Sequence, residues 1–243
     1  MKTWLLLGDS HTYGQSGFAI CEALSAARPQ VRVVNGGVNA DLAWNLAERL
    51  EMALDPRPDL IHVLIGTNDV NAGLHPDHAA GYMRDKGVPT VPTPDFYRQQ
   101  LRRVFKRLNE SGAELYASKI PPIGDDAVSV WNAAVRHHNR ILTEEADAAG
   151  VRVLPLYERL IADVDRSRVR PIDRLDWGQW IPDSQRLHDE VGLSWDAIAD
   201  QRALRLTHDG LHLNERAGQI WLNLLLQEFD TSYIPKPRVH PHP

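Results

Sequence analysis

Short apolar runs that end at a glycine alternate along this chain with amphipathic stretches of helical spacing. Residues 4–7 are followed by Gly8, and residues 60–65 are followed by Gly66. A short, wholly apolar run is typical of a strand buried on both faces, and a helix between two such strands makes the strands parallel. This alternation constrains the chain strongly. It predicts the α/β class, as a three-layer α/β/α sandwich built on five mainly parallel strands.

The sandwich accounts for most of the chain, with residues 1–232 predicted as one domain. Asp41 is the expected N-cap of the second helix, and Pro94 suits the first turn of the third. Strands are predicted at residues 4–7, 31–34, 60–65, 114–120 and 151–154, and helices at 17–27, 41–54, 94–109, 130–149 and 214–229. Residues 70–93 and 164–206 lack a clear pattern and are predicted as long loops. Loops this long within a compact domain either have a function or contain helices or strands that the pattern does not reveal. The proline-rich tail, 233–243, is predicted to be disordered.

Composition excludes several classes of protein. Of 243 residues, 43% are hydrophobic and 24% are charged, as in ordinary soluble globular chains. The net charge of −5 argues against nucleic-acid and anionic-membrane partners, which require a basic face. Cys21 is the only cysteine, so neither an intrachain disulfide nor a cysteine-based zinc site can form. No segment is long enough for a membrane span or a signal-peptide core, so a cytoplasmic location is predicted.

Polar segments follow three of the predicted strands, and a fourth precedes the last helix. They cover residues 8–14, 35–41, 66–69 and 208–214. Because ligands of open parallel sheets gather outside the carboxyl ends of the strands, we expect the four segments to meet at one rim. Together they supply a hydroxyl, a carboxamide, a carboxylate and an imidazole. These are the groups of a nucleophilic hydrolase.

A serine hydroxyl becomes a nucleophile when a base takes its proton, and the base needs a partner that fixes its tautomer. Ser10, His212 and Asp209 provide these three parts. An oxyanion needs donors held in advance. The N–H of Ser10, a backbone N–H of the second segment and Nδ2 of Asn68 are the candidates. The G-x-S-x-G pattern is absent because Thr12 occupies its last position, which disfavours a conventional α/β-hydrolase.

These four segments resemble the blocks of the SGNH (GDSL-type) hydrolases, in the usual order from Gly8 to Asn214. The resemblance implies a flavodoxin-like sheet and ester hydrolysis without a cofactor. It also implies that Ser10 is the nucleophile, His212 the base, Asp209 its orienting acid and Asn68 an oxyanion donor. Ala40 stands where the family usually has a glycine whose N–H joins the oxyanion hole.

The Ala40 N–H can still serve as an oxyanion donor if the backbone there does not require a positive φ, and Gly37 is a further candidate. Asp9 and Asp69 are interpreted as structural residues that bind backbone amides, and Asn35 as a turn residue.

Histidine pairs and aromatic residues leave alternatives open. His208 and His212 are four apart and His75 and His78 three apart, but neither pair has the H-E-x-x-H pattern or a clear third ligand. No metal site is therefore predicted. Tyr13 is a candidate pocket wall. The tryptophans Trp177, Trp180 and Trp195 either line a substrate cleft or anchor their segment to the core.

The predicted function is hydrolysis of a small-molecule carboxylic ester, short-acyl or carbohydrate O-acyl, through an acyl-enzyme on Ser10. An acyltransferase, a thioesterase or a lysophospholipase could use the same three residues. A non-catalytic carbohydrate-binding relative is the alternative from another class. The sequence does not define the oligomeric state.

Overall fold

Five parallel strands form one sheet in the computed structural model, which describes residues 1–54, 57–164 and 177–229. The strands are β1 Lys2–Gly8, β2 Val31–Gly37, β3 Leu60–Leu64, β4 Glu114–Ser118 and β5 Arg152–Leu154. Their order is β2-β1-β3-β4-β5, and every neighbouring pair is parallel. This is the flavodoxin-like order. The predicted fold class is confirmed, although β4 ends two residues before its predicted end.

Helices cover both faces of the sheet. They are α1 Ser10–Tyr13, α2 Ile20–Ala27, α3 Ala43–Ala53, α4 Thr67–Leu74, α5 Pro76–Asp85, α6 Pro94–Asn109, α7 Val130–Ala149, α8 Leu156–Ile161, α9 Trp177–Asp189, α10 Trp195–Gln201 and α11 Glu215–Phe229. No helix in the described part of the chain is long and apolar enough to cross a membrane.

Side chains of β1 alternate between two cores, as the two-residue period of a strand requires. Leu5 and Leu7 lie in one apolar cluster, which α3, α6 and α7 complete. Trp4 and Leu6 lie in the other, completed by α2, α8 and α11. Both faces of this strand are therefore buried, which explains why its sequence is a continuous apolar run rather than an alternating one.

Cys21 belongs to the second of these cores. It lies on α2, 7% exposed, and its Sγ is 3.7 Å from the carbonyl oxygen of Thr12 in α1. Burial raises the pKa of the thiol to about 12. The residue therefore packs as a small apolar side chain and stays protonated at neutral pH.

Three expectations about local structure are wrong. Residues 70–93 are not a long loop, because they contain the end of α4 and all of α5. The described part of 164–206 contains α9 and α10, while residues 165–176 and the tail 230–243 lie outside the described residues. Asp41 is not a helix N-cap: Leu42 takes that position, and the Asp41 carboxylate instead binds Arg49 and Lys86.

Candidate active site

The site lies where the chain leaves β1 and β3, the point at which the strand order changes direction and where flavodoxin-like sheets bind ligands. Ser10 is the first residue of α1, directly after β1. Asp9 caps this helix, since its Oδ1 accepts the N–H of His11 at 3.0 Å. A side chain on Gly37 would lie 2.2 Å from the backbone N of Tyr13. The glycine thus lets α1, and with it Ser10, pack closely on the end of β2.

Ser10, His212 and Asp209 form a hydrogen-bonded row. Ser10 Oγ is 3.0 Å from His212 Nε2, and His212 Nδ1 is 2.7 Å from Asp209 Oδ2. The other carboxylate oxygen, Asp209 Oδ1, accepts the backbone N–H groups of Leu211 and His212 at 2.8 and 2.7 Å. Asp209 is fully buried, and these bonds satisfy both of its oxygens. The imidazole consequently has one orientation, with Nε2 directed at the serine.

Electrostatics in this row hold Asp209 charged. Burial raises the pKa of its carboxyl, but the neighbouring imidazoles of His212 and His208 and the hydrogen bonds from His212 outweigh burial and bring the pKa well below its ordinary value. For His212, burial lowers the pKa, yet the Asp209 carboxylate raises it above 6.5 overall. The base is therefore stronger than an ordinary histidine.

Ala40 adopts the left-handed region, with φ +60. It is the third residue of the turn 38–41, which is closed by a hydrogen bond from the N–H of Asp41 to the carbonyl oxygen of Val38 at 3.2 Å. A type II turn needs positive φ at this position, which explains a glycine preference there. No acceptor in the part of the chain that the structure describes receives the Ala40 N–H.

Replacing Ala40 with Gly is expected to raise the free energy of unfolding by about 0.5–1 kcal/mol, because glycine adopts positive φ without steric cost. Denaturant unfolding measures this change. Ala148→Gly, on the exposed surface of α7, is the matched control and should lower stability by about 1 kcal/mol. A destabilised Ala40→Gly protein would contradict the strained turn.

Two positively charged side chains bind the turn 38–41 and its neighbouring backbone. Arg49 on α3 donates from Nη2 to the carbonyl oxygens of Gly8 and Gly36, and from Nε to the Asp41 carboxylate. Lys86, just after α5, contacts the same carboxylate at 2.8 Å and donates to the carbonyl oxygen of Asn39 at 2.9 Å. Sequence reasoning missed both, because no local pattern marks a helix arginine or a loop lysine that binds backbone carbonyls far along the chain.

Asn68 is the second residue of α4 and lies beside the turn. Its Nδ2 donates to the carbonyl oxygen of Asp41 at 2.9 Å, which leaves the second Nδ2 hydrogen for another acceptor. Asp69 behaves as a structural residue, because its Oδ2 accepts the N–H of Ala43 at the start of α3. The turn and the two helices α3 and α4 are therefore joined through the carboxyl rim of the sheet.

The structure places the remaining predicted site residues in different surroundings. The N–H of Gly37 is donated to Asn35 Oδ1 at 2.9 Å, so it is not available to an oxyanion. Tyr13 is 45% exposed at the edge of the site. Trp180 stacks against the guanidinium of Arg202 at 4.9 Å, as expected of an anchor to the fold. Trp177 begins α9, and its side chain lies outside the described residues.

His208 lies behind the row rather than in it. Its ring stacks on Trp195 at 4.3 Å, and its Nε2 is 2.8 Å from the carbonyl oxygen of Ser16. His208, Asp209 and His212 each offer a metal-ligand atom within 4.8 Å of one another. However, the Asp209 carboxylate and His212 Nδ1 already satisfy each other. In the other histidine pair, His75 and His78, the Nδ1 atom of His78 is 2.7 Å from Asn71 Oδ1 and so already has a protein partner.

A serine, a histidine and an aspartate joined in this way are the constellation found in serine hydrolases of several unrelated folds. The sequence matches the GDSL-like Lipase/Acylhydrolase family over residues 6–220. Since this match spans most of the chain, the protein belongs to that family. No curated protein matches the sequence significantly.

Solved structures of similar fold include three esterases or lipases. The acetylxylan esterase Axe2 of Geobacillus stearothermophilus is 16% identical, with a TM-score of 0.61 over 97% of each chain. The acetyl xylan esterase AlAXEase is 15% identical, with a TM-score of 0.64 over 93% of this chain and 98% of its own. A lipase/acylhydrolase of Enterococcus faecalis is 17% identical, with a TM-score of 0.62 over 97% and 99%. These likenesses establish the shared fold.

Proposed function

We propose that this protein is a serine ester hydrolase that cleaves a carboxylic ester through an acyl-enzyme on Ser10. The observation that carries the proposal is the hydrogen-bonded row in which His212 contacts Ser10 Oγ at 3.0 Å and Asp209 at 2.7 Å. Membership of the GDSL-like lipase/acylhydrolase family supports the same chemistry. A nucleophile, a base and an acid that orients the base are the parts that serine hydrolases use for acyl transfer.

Acylation begins when Ser10 Oγ attacks the ester carbonyl carbon and His212 Nε2 takes the Oγ proton. The tetrahedral intermediate collapses as the bond to the leaving oxygen breaks, and His212 returns the proton to that oxygen so that an alcohol departs. Water then attacks the acyl-enzyme and gives its proton to His212. Ser10 recovers this proton as the carboxylic acid leaves. Asp209 stabilises the imidazolium formed in each half of the reaction.

Three donors are proposed for the oxyanion: the N–H groups of Ser10 and Ala40 and the second Nδ2 hydrogen of Asn68. The N–H of a first helical residue has no acceptor within its own helix, so the Ser10 N–H is suited to this role. Ala40 contributes a backbone N–H that has no acceptor in the described residues. Donors that are fixed before the reaction stabilise the developing charge without reorganisation.

For the substrate we propose a short-acyl ester, such as an acetyl ester on a carbohydrate. A recess that borders both Ser10 and His212 is lined by Gly17, Phe18 and Leu213 among others and has room for about one water molecule. A long acyl chain does not fit in this recess. Two of the solved structures of similar fold are acetylxylan esterases, which also favours this substrate class.

Labelling with a fluorophosphonate tests the mechanism. The folded protein should be modified once, and peptide mass spectrometry should locate the phosphonate on Ser10. Heat-unfolded protein is the control and should not react. Folded protein that is not labelled would contradict the enzyme and favour a carbohydrate-binding relative.

Hydrolysis of p-nitrophenyl esters from acetate to decanoate tests the substrate class. We expect kcat/KM to be highest for acetate and to fall with chain length. Adding alcohol or sugar acceptors and analysing the products separates hydrolysis from acyl transfer. A maximum at long chains would contradict the short-acyl assignment while leaving the serine mechanism intact.

The pH profile of kcat/KM should show one limb that falls toward acid, with its midpoint above pH 6.5. The reason is that His212 acts as a base only when neutral, and the Asp209 carboxylate raises its pKa. Protonation as the pH falls through that value removes the base, whereas Asp209 stays ionised because its pKa is held low. Circular dichroism at each pH controls for unfolding. A midpoint below 6.5 would count against Asp209 as the partner of His212.

A further inference from the structure

Behind Asn68, three further side chains continue its hydrogen bonding in one line, and the reaction described above does not use them. Tyr82 Oη donates to Asn68 Oδ1 at 2.6 Å, and Asn71 Nδ2 donates to the same hydroxyl at 3.1 Å. His78 Nδ1 lies 2.7 Å from Asn71 Oδ1. All these residues lie on α4 and α5, the helices that the sequence pattern did not predict.

The direction of each bond in this line is determined by its chemistry. The carbonyl oxygen of Asp41 can only accept, so the atom of Asn68 that faces it must be Nδ2. Oδ1 of Asn68 then faces Tyr82 and must accept the hydroxyl proton. The hydroxyl oxygen in turn accepts from Asn71. Each of these bonds pairs one donor with one acceptor, and the Asn68 amide therefore has one orientation.

Two properties suit Tyr82 to this task. Its ring packs on the small apolar cluster of Leu42, Ala72 and Val88, which fixes the hydroxyl position. Burial raises the pKa of the Tyr82 hydroxyl to about 12, so the proton that Asn68 accepts is present at every pH at which the protein would work.

We propose that Tyr82 is a positioning residue, whose hydroxyl holds the Asn68 amide with Nδ2 toward the oxyanion. The inference rests on the proposed function. Without the hydroxyl, the buried Oδ1 loses its partner, and only the bond from Nδ2 to the Asp41 carbonyl oxygen still orients the amide. The second Nδ2 hydrogen is then held less firmly toward the oxyanion. Such a change weakens a donor used mainly in the transition state, so it should affect kcat rather than KM.

Tyr82→Phe tests the proposal, because it removes one oxygen and keeps the ring. For p-nitrophenyl acetate we expect kcat to fall about 10-fold with KM changed less than about 2-fold. Tyr116→Phe is the matched control. It removes another hydroxyl, which donates to Glu114 Oε1 at 2.6 Å and lies 3.2 Å from the carbonyl oxygen of Glu228, away from the rim, and it should leave kcat unchanged.

A double-mutant cycle distinguishes positioning from a general structural effect. In the Asn68→Ala background, Tyr82→Phe should have no further effect on kcat, because the group it positions is gone. An equal loss of kcat in both backgrounds, or wild-type kcat in Tyr82→Phe, would overturn the proposal. If Tyr82→Phe does not fold, Asn71→Ala replaces it, with an expected loss in kcat of about 3-fold that also vanishes in the Asn68→Ala background.

Failure of the proposed function would give a different result. In that case the wild-type protein would neither hydrolyse p-nitrophenyl acetate nor react with the fluorophosphonate. An active, labelled wild type combined with an unaffected Tyr82→Phe protein would reject only the role of Tyr82.

Discussion

Ser10→Ala is expected to lower kcat for p-nitrophenyl acetate by about 10⁶-fold, because no acyl-enzyme can form without the Oγ nucleophile. A residual rate above that of water is expected, since the oxyanion donors remain in place. The substitution removes only one oxygen, whose partner in the structure is His212 Nε2. The melting temperature should therefore change little.

Ser25→Ala provides the matched control for this experiment. Ser25 lies on α2, where its hydroxyl donates to the carbonyl oxygen of Cys21, remote from the row. Its removal deletes a hydrogen bond of ordinary strength but should leave turnover unchanged. If Ser10→Ala retained wild-type kcat after careful purification, the nucleophile would be another group and the acyl-enzyme mechanism would be rejected.

Asp209→Asn is expected to lower kcat by about 10⁴-fold while the protein stays folded. The reason is the tautomer of His212. An amide that keeps its oxygen on the N–H groups of Leu211 and His212 presents its NH₂ group to Nδ1. Nδ1 must then accept, which places the imidazole proton on Nε2. In that form His212 cannot take the proton of Ser10, and the base is lost without any loss of side-chain volume.

Asp147→Asn on the exposed face of α7 controls for the change from carboxylate to amide. It should leave kcat unchanged. In Asp209→Asn the acid limb of the pH profile should also shift to lower pH, because the carboxylate that raises the pKa of His212 has gone. Unaltered turnover in this variant would mean that some other group orients the imidazole.

Much of the sheet was predictable because both of its faces are buried. Continuous apolar runs such as residues 60–65 cannot alternate in polarity, and they mark such strands clearly. Helices α6 and α7 were predictable for a related reason, since each buries apolar side chains along one face at regular helical spacing. Three of the four polar segments followed from the strand ends, and their meeting at one rim depends only on the strands being parallel and adjacent. The fourth, 208–214, was placed by its position before the last helix.

The support of the site could not be predicted in the same way. Helices α4 and α5 contain Gly73 and Gly81, and α5 fully buries only Ala79, so their periodicity is weak. Tyr82 binds Asn68, which is 14 residues away in the chain, and Lys86 binds Asn39, which is 47 residues away. Such contacts depend on tertiary packing, which local pattern does not encode. The sequence offered the Ala40 N–H as a donor on condition that its backbone does not require a positive φ, and only the backbone geometry shows that this condition is not met.

The buried state of Cys21 has a practical consequence for studying this protein. Because the chain has no second cysteine and the Cys21 thiol is enclosed and protonated, maleimide reagents should leave the native protein unmodified. A cysteine introduced at an exposed position beside the rim, such as Tyr13 or Val38, would then be the sole reactive thiol. A single fluorophore could thus be placed next to Ser10 in an otherwise unaltered molecule, and the arrival of an ester followed optically.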